Sequence, residues 1–429
     1  MVLGGAEADG PAIGPLAMPM LLVLRIFVPF ALGYLLASIF RSIGAVITPD
    51  LVRDTGMDAT ELGLATSAFF VAATIMQIPY GVLLDRYEPR RVYAAFLLAC
   101  AAGAVVVAAA DTGLTFAAGR ALIALGTTAS AVTSFKVYAM WYPPERLPLA
   151  NGLSISAGSL GLMIGTVPVQ AALAFTDWRT IHLIVAVLLV AGALAVLLVV
   201  PSRKSESTGV TLAAQIKGLG GIFANPEFWR AAPLLAAVLG TLGGLMALWS
   251  GPWIRDVAGL DPGGTANVLL LMAGAMAVAG VATGPLNGLA GRLGISVMGF
   301  AVGAAVLFTA IIFLMASPWT PGPLAVFLMW GAFGFLAPLG MVMYAALGTE
   351  FPKELHGRLN ACLTLCWLLG GFVIQNIYGL VLGQFPATDT GYAAEAHRIA
   401  MGVNVTILVL ALAWYFAFSA VIRRRRRDA

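Results

Sequence analysis

Charge is what this sequence has least of. Asp, Glu, Lys and Arg make up 10% of its 429 residues, against about 25% in soluble domains, which excludes a soluble globular protein. Cysteine is rare as well. Cys100, Cys362 and Cys366 all fall inside apolar runs and are expected to be packing residues, as free Cys usually is. Cys362 and Cys366 share a helix face, but a metal site needs more ligands than two. The three histidines avoid the middle of every run: His182 starts one, and His356 and His397 lie at loop edges. No Asp or Glu lies mid-run either. With no Ser/His/Asp set, metal cluster or phosphate-cradling loop recognisable, neither an enzyme nor a bound cofactor or metal is expected. Strands alternating apolar and polar residues are also missing, which excludes a β-barrel.

Long apolar runs are what the chain has in abundance. It is 60% hydrophobic with a mean hydropathy of +0.93. Stretches long enough to cross a bilayer as helices are read at 20–47, 61–83, 92–110, 114–138, 149–173, 180–200, 229–253, 265–289, 295–316, 323–348, 358–383 and 399–421. The expectation is an all-α membrane protein of twelve spans. Residues 1–19 are Gly/Ala/Pro-rich, with two acids and no base. They lack the basic region and cleavage site of a signal peptide, so they are expected to be a flexible N-terminus, with the first span retained.

Twelve spans put both termini on one side, and 17 of the 24 Lys and Arg residues fall there, including the run Arg423 to Arg427. The opposite side holds Arg53, Arg179, Arg255 and Arg398, while Arg41, Arg120 and Lys136 lie within spans. The positive-inside rule therefore places both termini in the cytoplasm, in a multi-pass plasma (inner) membrane. The basic tail suits an anchor against anionic lipid, with no nucleic-acid partner.

The hydrophilic stretch 201–228 divides the chain into two halves, 20–200 and 229–422, leaving 423–429 as a basic tail. The halves resemble each other in order and spacing. LVRD (51–54) matches IRD (254–256) at an offset of 202, Pro79 and Arg86 match Pro285 and Arg292 at 206, and YPPE (142–145) matches FPKE (351–354) at 209. Asn151 pairs with Asn360 and Gly161 with Gly370 in the same way. Duplicated six-helix halves are a transporter plan, with substrate held near the midplane between them.

The turn after the second run reads YGVLLDRYEPRR (80–91). It resembles the loop motif of the major facilitator superfamily, G-x-L-x-D-R-x-G-R-[RK]. Gly81, Leu83, Asp85, Arg86, Arg90 and Arg91 fill or nearly fill it, with Glu88 where the family usually has Gly. The second half keeps only a remnant, NGLAGRLG (287–294). The resemblance implies twelve helices in two pseudo-symmetric six-helix bundles. It also implies that Asp85 latches the halves in the outward-open state, together with Gly81, Arg86, Arg90 and Arg91. A solvated loop that only fixes topology is the alternative.

Within the first span, ASIFRSIGAVITPD (37–50) carries a permanent cation, Arg41. On one continuous helix Tyr34, Ala37, Ser38, Gly44, Ala45 and Thr48 share its face, and leucines and isoleucines take the other. Such a residue marks a pathway or finds a partner by default. In the superfamily spans one, four, seven and ten are taken to line the cavity. An Arg followed eight residues later by Pro49 is similar to the organophosphate:phosphate antiporters, where it is thought to hold the phosphate. Here Gly243, Gln77 and Ala157 stand where further bases would be expected, so one cation suits a single negative charge such as a carboxylate.

Arg120 begins RALIALG, a partial match to the superfamily's span-four motif, and fits either substrate or a backbone carbonyl of a neighbouring helix. Lys136, on the opposite face, is expected to snorkel. Tyr34, Gln77, Trp249, Trp330, Tyr344, Gln375 and Asn376 face the expected cavity, although helix packing explains each individually. The sequence thus predicts a transporter of a small, anionic organic solute, acting as a monomer in the bilayer by uniport, by exchange or with substrate-borne protons. The alternatives are an exporter of hydrophobic or drug-like compounds, or a non-transporting sensor or assembly factor on the same fold.

Overall fold

The computed structural model describes residues 20–203, 219–352, 355–388 and 391–428. The expected N-terminal segment, most of the central loop, Lys353 and Glu354 of the FPKE repeat and the side chains of Arg425 to Arg427 lie outside the described residues. Among the described residues, twelve helices are long and apolar enough to cross a membrane. Spans one to six are Met20–Ile39 (continued as Ile43–Thr55), Ala59–Arg86, Pro89–Ala108, Gly113–Trp141, Pro144–Ala172 and Trp178–Val199. Spans seven to twelve are Pro226–Ala258, Pro262–Arg292, Val297–Ala316, Pro323–Gly348, His356–Leu382 and Ala394–Arg424. A short antiparallel pair, Ala387–Thr388 with Gly391–Tyr392, bridges the last two spans.

The face where span one starts and span twelve ends is the terminal face below; the other is the far face. Local chemistry sets the far-face turns. Asp58 accepts from the amide of Glu61 and Asp261 from that of Gly264, which caps spans two and eight at their N-termini. Gly56 and Gly259, both at φ 67°, end the helices before them. That left-handed turn costs a residue with a Cβ about 1–2 kcal/mol. Spans two and eight then end at the terminal face on Arg86 and Arg292, as the repeat requires.

Each half packs on itself first: span three against four and six, seven against eleven, eight against ten, nine against twelve. The halves meet through spans two and eleven, five and eight, and one and seven. Span seven is the most enclosed, with 89% of its apolar stretch buried against 28% for span twelve. Cys100 and Cys362 are buried and Cys366 partly so, each unbonded.

Candidate functional site

Span one is not the continuous helix its composition predicts. Its regular winding stops at Phe40, where Arg41 N–H reaches the Ser38 carbonyl at 3.0 Å and Ser42 N–H reaches Ile39 at 3.2 Å, and α-helix resumes at Ile43. These tighter three-residue bonds leave carbonyls free, and neighbours fill the gap. Arg120 Nη1 of span four donates to the Phe40 carbonyl at 3.0 Å. The Ser42 hydroxyl donates to the Leu162 carbonyl of span five at 2.7 Å. His182 of span six sets its ring 5.5 Å from that of Phe40.

Arg41 and Arg120 thus meet the same backbone in different ways. Arg120 is buried, with its guanidinium carbon 5.3 Å from the Phe69 ring centroid. It makes the structural bond to a helix carbonyl that its position allowed. Arg41 is partly exposed, and its guanidinium has no hydrogen-bond or ion-pair partner among the described residues.

Span seven departs from α-geometry at the matching height, with a π-helical turn at Leu245–Trp249. There the two first helices of the halves touch backbone to backbone. A Cβ on Gly44 would lie 2.3 Å from the Ala247 carbonyl oxygen, and one on Gly251 would lie 1.9 Å from that of Ala45. Pro49 has no N–H to offer the Ala45 carbonyl, so Gly251 packs where a helix bond is missing. Beside this contact Gln375 Nε2 donates to the Gly63 carbonyl at 3.3 Å and Asn376 Nδ2 to the Ser67 hydroxyl at 2.8 Å. Toward the terminal face Tyr138 bonds to Ser154 at 2.7 Å and Tyr344 to Thr364 at 3.2 Å, each within its own half. Val132 of span four and Met341 of span ten are exposed there, at 42% and 53%.

The residues expected to share one cavity divide among several places. Tyr34 lays its ring against Gly158 of span five, below the break, and Gln77 is partly exposed on span two. Trp249 and Gln375 are fully buried in the closed contact, the indole donating to the Gln375 carbonyl at 3.0 Å and stacking on Tyr378 at 5.2 Å. Trp330 is fully buried in an aromatic cluster with Trp253 and Phe333. Tyr344 lines a cavity of about 570 Å³ at the terminal face with His356 and Asn360. Helical periodicity assigns a face, not a neighbour, and three of these side chains went to packing.

The motif turn forms an ionic cluster within the first half. Lys136 Nζ holds Asp85 at 2.6 Å and the Leu84 carbonyl at 2.8 Å, so this lysine is paired instead of snorkelling. Asp85 therefore bonds inside its own half in this conformation. Glu88 sits at φ −63°, where no glycine is needed, and pairs with Arg90 and with Arg91. Arg90 also donates to the Val200 carbonyl at 2.8 Å, tying the turn to the end of span six. Gly81 is partly exposed and Arg86 exposed.

One group escaped the sequence reading. His397 is fully buried in the first turns of span twelve, its Nε2 3.0 Å from Asp256 and its Nδ1 2.9 Å from the Tyr378 hydroxyl. Asp256 also accepts from the Tyr392 amide at 3.0 Å. The repeat had marked Asp256; its partner lies 141 residues away, beyond any local signal.

Broken first helices, glycine-mediated contact between pseudo-symmetric halves and an unpaired intramembrane cation are features of a secondary transporter, and the chain belongs to the Major Facilitator Superfamily, whose profile matches residues 30–375. It is a multi-pass membrane protein. It is 30% identical over 153 residues to "Uncharacterized transporter YybO" of Bacillus subtilis, 35% of each chain. It is 27% identical over 148 residues to "Probable sulfoacetate transporter SauU" of Cupriavidus necator, 34% of each chain. Those matches span about a third of the length of these curated relatives. Among solved structures, a bacterial homologue of the human lysosomal transporter Spinster, inward-facing and unoccupied, aligns with a TM-score of 0.75. That alignment has 18% identity and covers 94% of this chain and 98% of the other.

Proposed function

We propose that the protein carries a small organic anion across the membrane by alternating access, with Arg41 as the counter-charge. The halves 20–200 and 229–422 are the rocking bodies, and the loop 201–228 joins them. One observation carries the reading: Arg41 stands at the break of span one, partly exposed, with its guanidinium unpartnered among the described residues. Arg120, the other arginine at that break, is already committed to the Phe40 carbonyl. A single free guanidinium attracts one negative charge and repels cations in a low-dielectric cavity. A relative named for transport of an organic acid, sulfoacetate, supports the same substrate class.

On this reading both termini lie in the cytoplasm, and closure at the far face corresponds to the inward-open state of a monomeric carrier. Uptake of a panel of small carboxylates and sulfonates into proteoliposomes tests the reading. At least one should be taken up by the parent protein, lost in Arg41→Gln and recovered only weakly in Arg41→Lys. Lysine keeps the charge without the planar two-donor fork. An Arg41→Gln protein that transports such an anion at the parent rate would overturn the assignment.

A further inference from the structure

The far face holds a second arginine without a partner. Arg255, near the end of span seven, lines two cavities on either side of Pro49, one of about 550 Å³ and one of about 300 Å³. Among the described residues its guanidinium makes no hydrogen bond and no ion pair. Its neighbour Asp256 forms no ion pair with it, and binds His397 and the Tyr392 amide instead, both through Oδ2. Arg53, the other cation of the larger cavity, differs in being shared between Asp50 at 3.0 Å and Asp54 at 3.2 Å. The larger cavity also takes in Tyr392, whose hydroxyl is buried with no partner of its own. A lone guanidinium and an orphaned buried hydroxyl in one wall are incompletely satisfied, and an acidic ligand satisfies both.

We propose that this far-face cavity is a second anion-binding site, in which the Arg255 guanidinium and the Tyr392 hydroxyl hold a carboxylate or sulfonate group. It lies on the other side of the Gly44–Ala247 and Gly251–Ala45 contacts from Arg41's break, with Thr48 and Pro49 of span one in its wall. Its part in transport, as the place where the anion rests before entry or after release, depends on the anion reading above. Anion binding at Arg255 does not.

The test uses the purified full chain in the Arg41→Gln background, so that binding at the first arginine cannot contribute. Saturation-transfer difference NMR is recorded with acetate and with methanesulfonate, and with tetramethylammonium as the cation control. Both anions, and not the cation, should show transfer in that background, falling at least fivefold in Arg41→Gln/Arg255→Gln. Tyr392→Phe in the same background keeps the ring and removes the hydroxyl, and it should weaken transfer at least twofold; it decides the matter if the Arg255 variant does not fold. Transfer unchanged in these variants, or absent from the Arg41→Gln protein at the start, would overturn the site. Failure of the Arg41 transport reading would appear separately, as normal uptake by Arg41→Gln with the far-face transfer intact.

Discussion

The indole of Trp178 donates to Asp54 across 2.9 Å, joining the start of span six to the end of span one. At the matching place in the second half His397 stands 3.0 Å from Asp256. In each half, then, an aspartate marked by the internal repeat meets a ring nitrogen from the start of that half's last span.

The first-half bond holds the Asp54 carboxyl below its ordinary value of 3.8, chiefly through the indole, aided by Arg53 and Arg179. A carboxyl whose pKa is depressed by folding stabilises the protein above its unfolded value and loses that contribution as pH falls through the folded one. Trp178→Phe should therefore lower stability at neutral pH by about 1 kcal/mol, the usual net worth of a hydrogen bond. The gap from the parent should narrow below pH 3.8. Melting curves from pH 7 to pH 3 check this; a constant gap would mean that the indole acts only by packing.

Arg120→Gln should behave unlike Arg41→Gln. Removing Arg120 leaves the buried Phe40 carbonyl without its donor, a loss of about 1–3 kcal/mol, so the ligand-free protein should melt earlier. Arg41→Gln should melt like the parent without ligand and lack the ligand-induced shift, which is about 2.7 kcal/mol at a hundredfold excess over Kd. Thermal shifts on both variants, with and without a transported anion, separate the two arginines.

How much of this was legible in advance follows from how local each feature is. Span ten was read at 323–348 and is Pro323–Gly348, because hydropathy is a property of a short stretch. The repeat was legible because Arg86 and Arg292 end their helices alike. The break at Phe40 was not, since a donor 80 residues away and the carbonyl of Leu162 hold it in place. His397 was placed at a loop edge for the same reason: only the fold brings Asp256 to it.

The latch is open to direct test. Asp85 is held by Lys136 within the first half, and under the latch proposal it exchanges that partner for the second half when the terminal face closes. Asp85→Asn should insert normally, favour the conformation described above, and lower transport more than ligand binding. Transport equal to the parent at equal expression would remove Asp85 from the transport cycle.

Orientation can be read from chemical labelling. Single cysteines replacing Phe175, 93% exposed at the far face, and Leu293, 73% exposed at the terminal face, are placed in a background whose native cysteines are serine. In intact cells an impermeant thiol reagent should label position 175 and spare 293. The opposite pattern would invert the molecule in the membrane and relocate both termini.

The meeting of spans one and seven has a consequence for how such a carrier can diversify. Gly44 lies on the Ala247 carbonyl and Gly251 on that of Ala45, so the door is shut there by main chain. Door and lock are separate parts. If Arg41 is the counter-charge proposed above, residues beside it can change what is admitted without refitting this joint. A bulkier residue at either glycine would force spans one and seven apart.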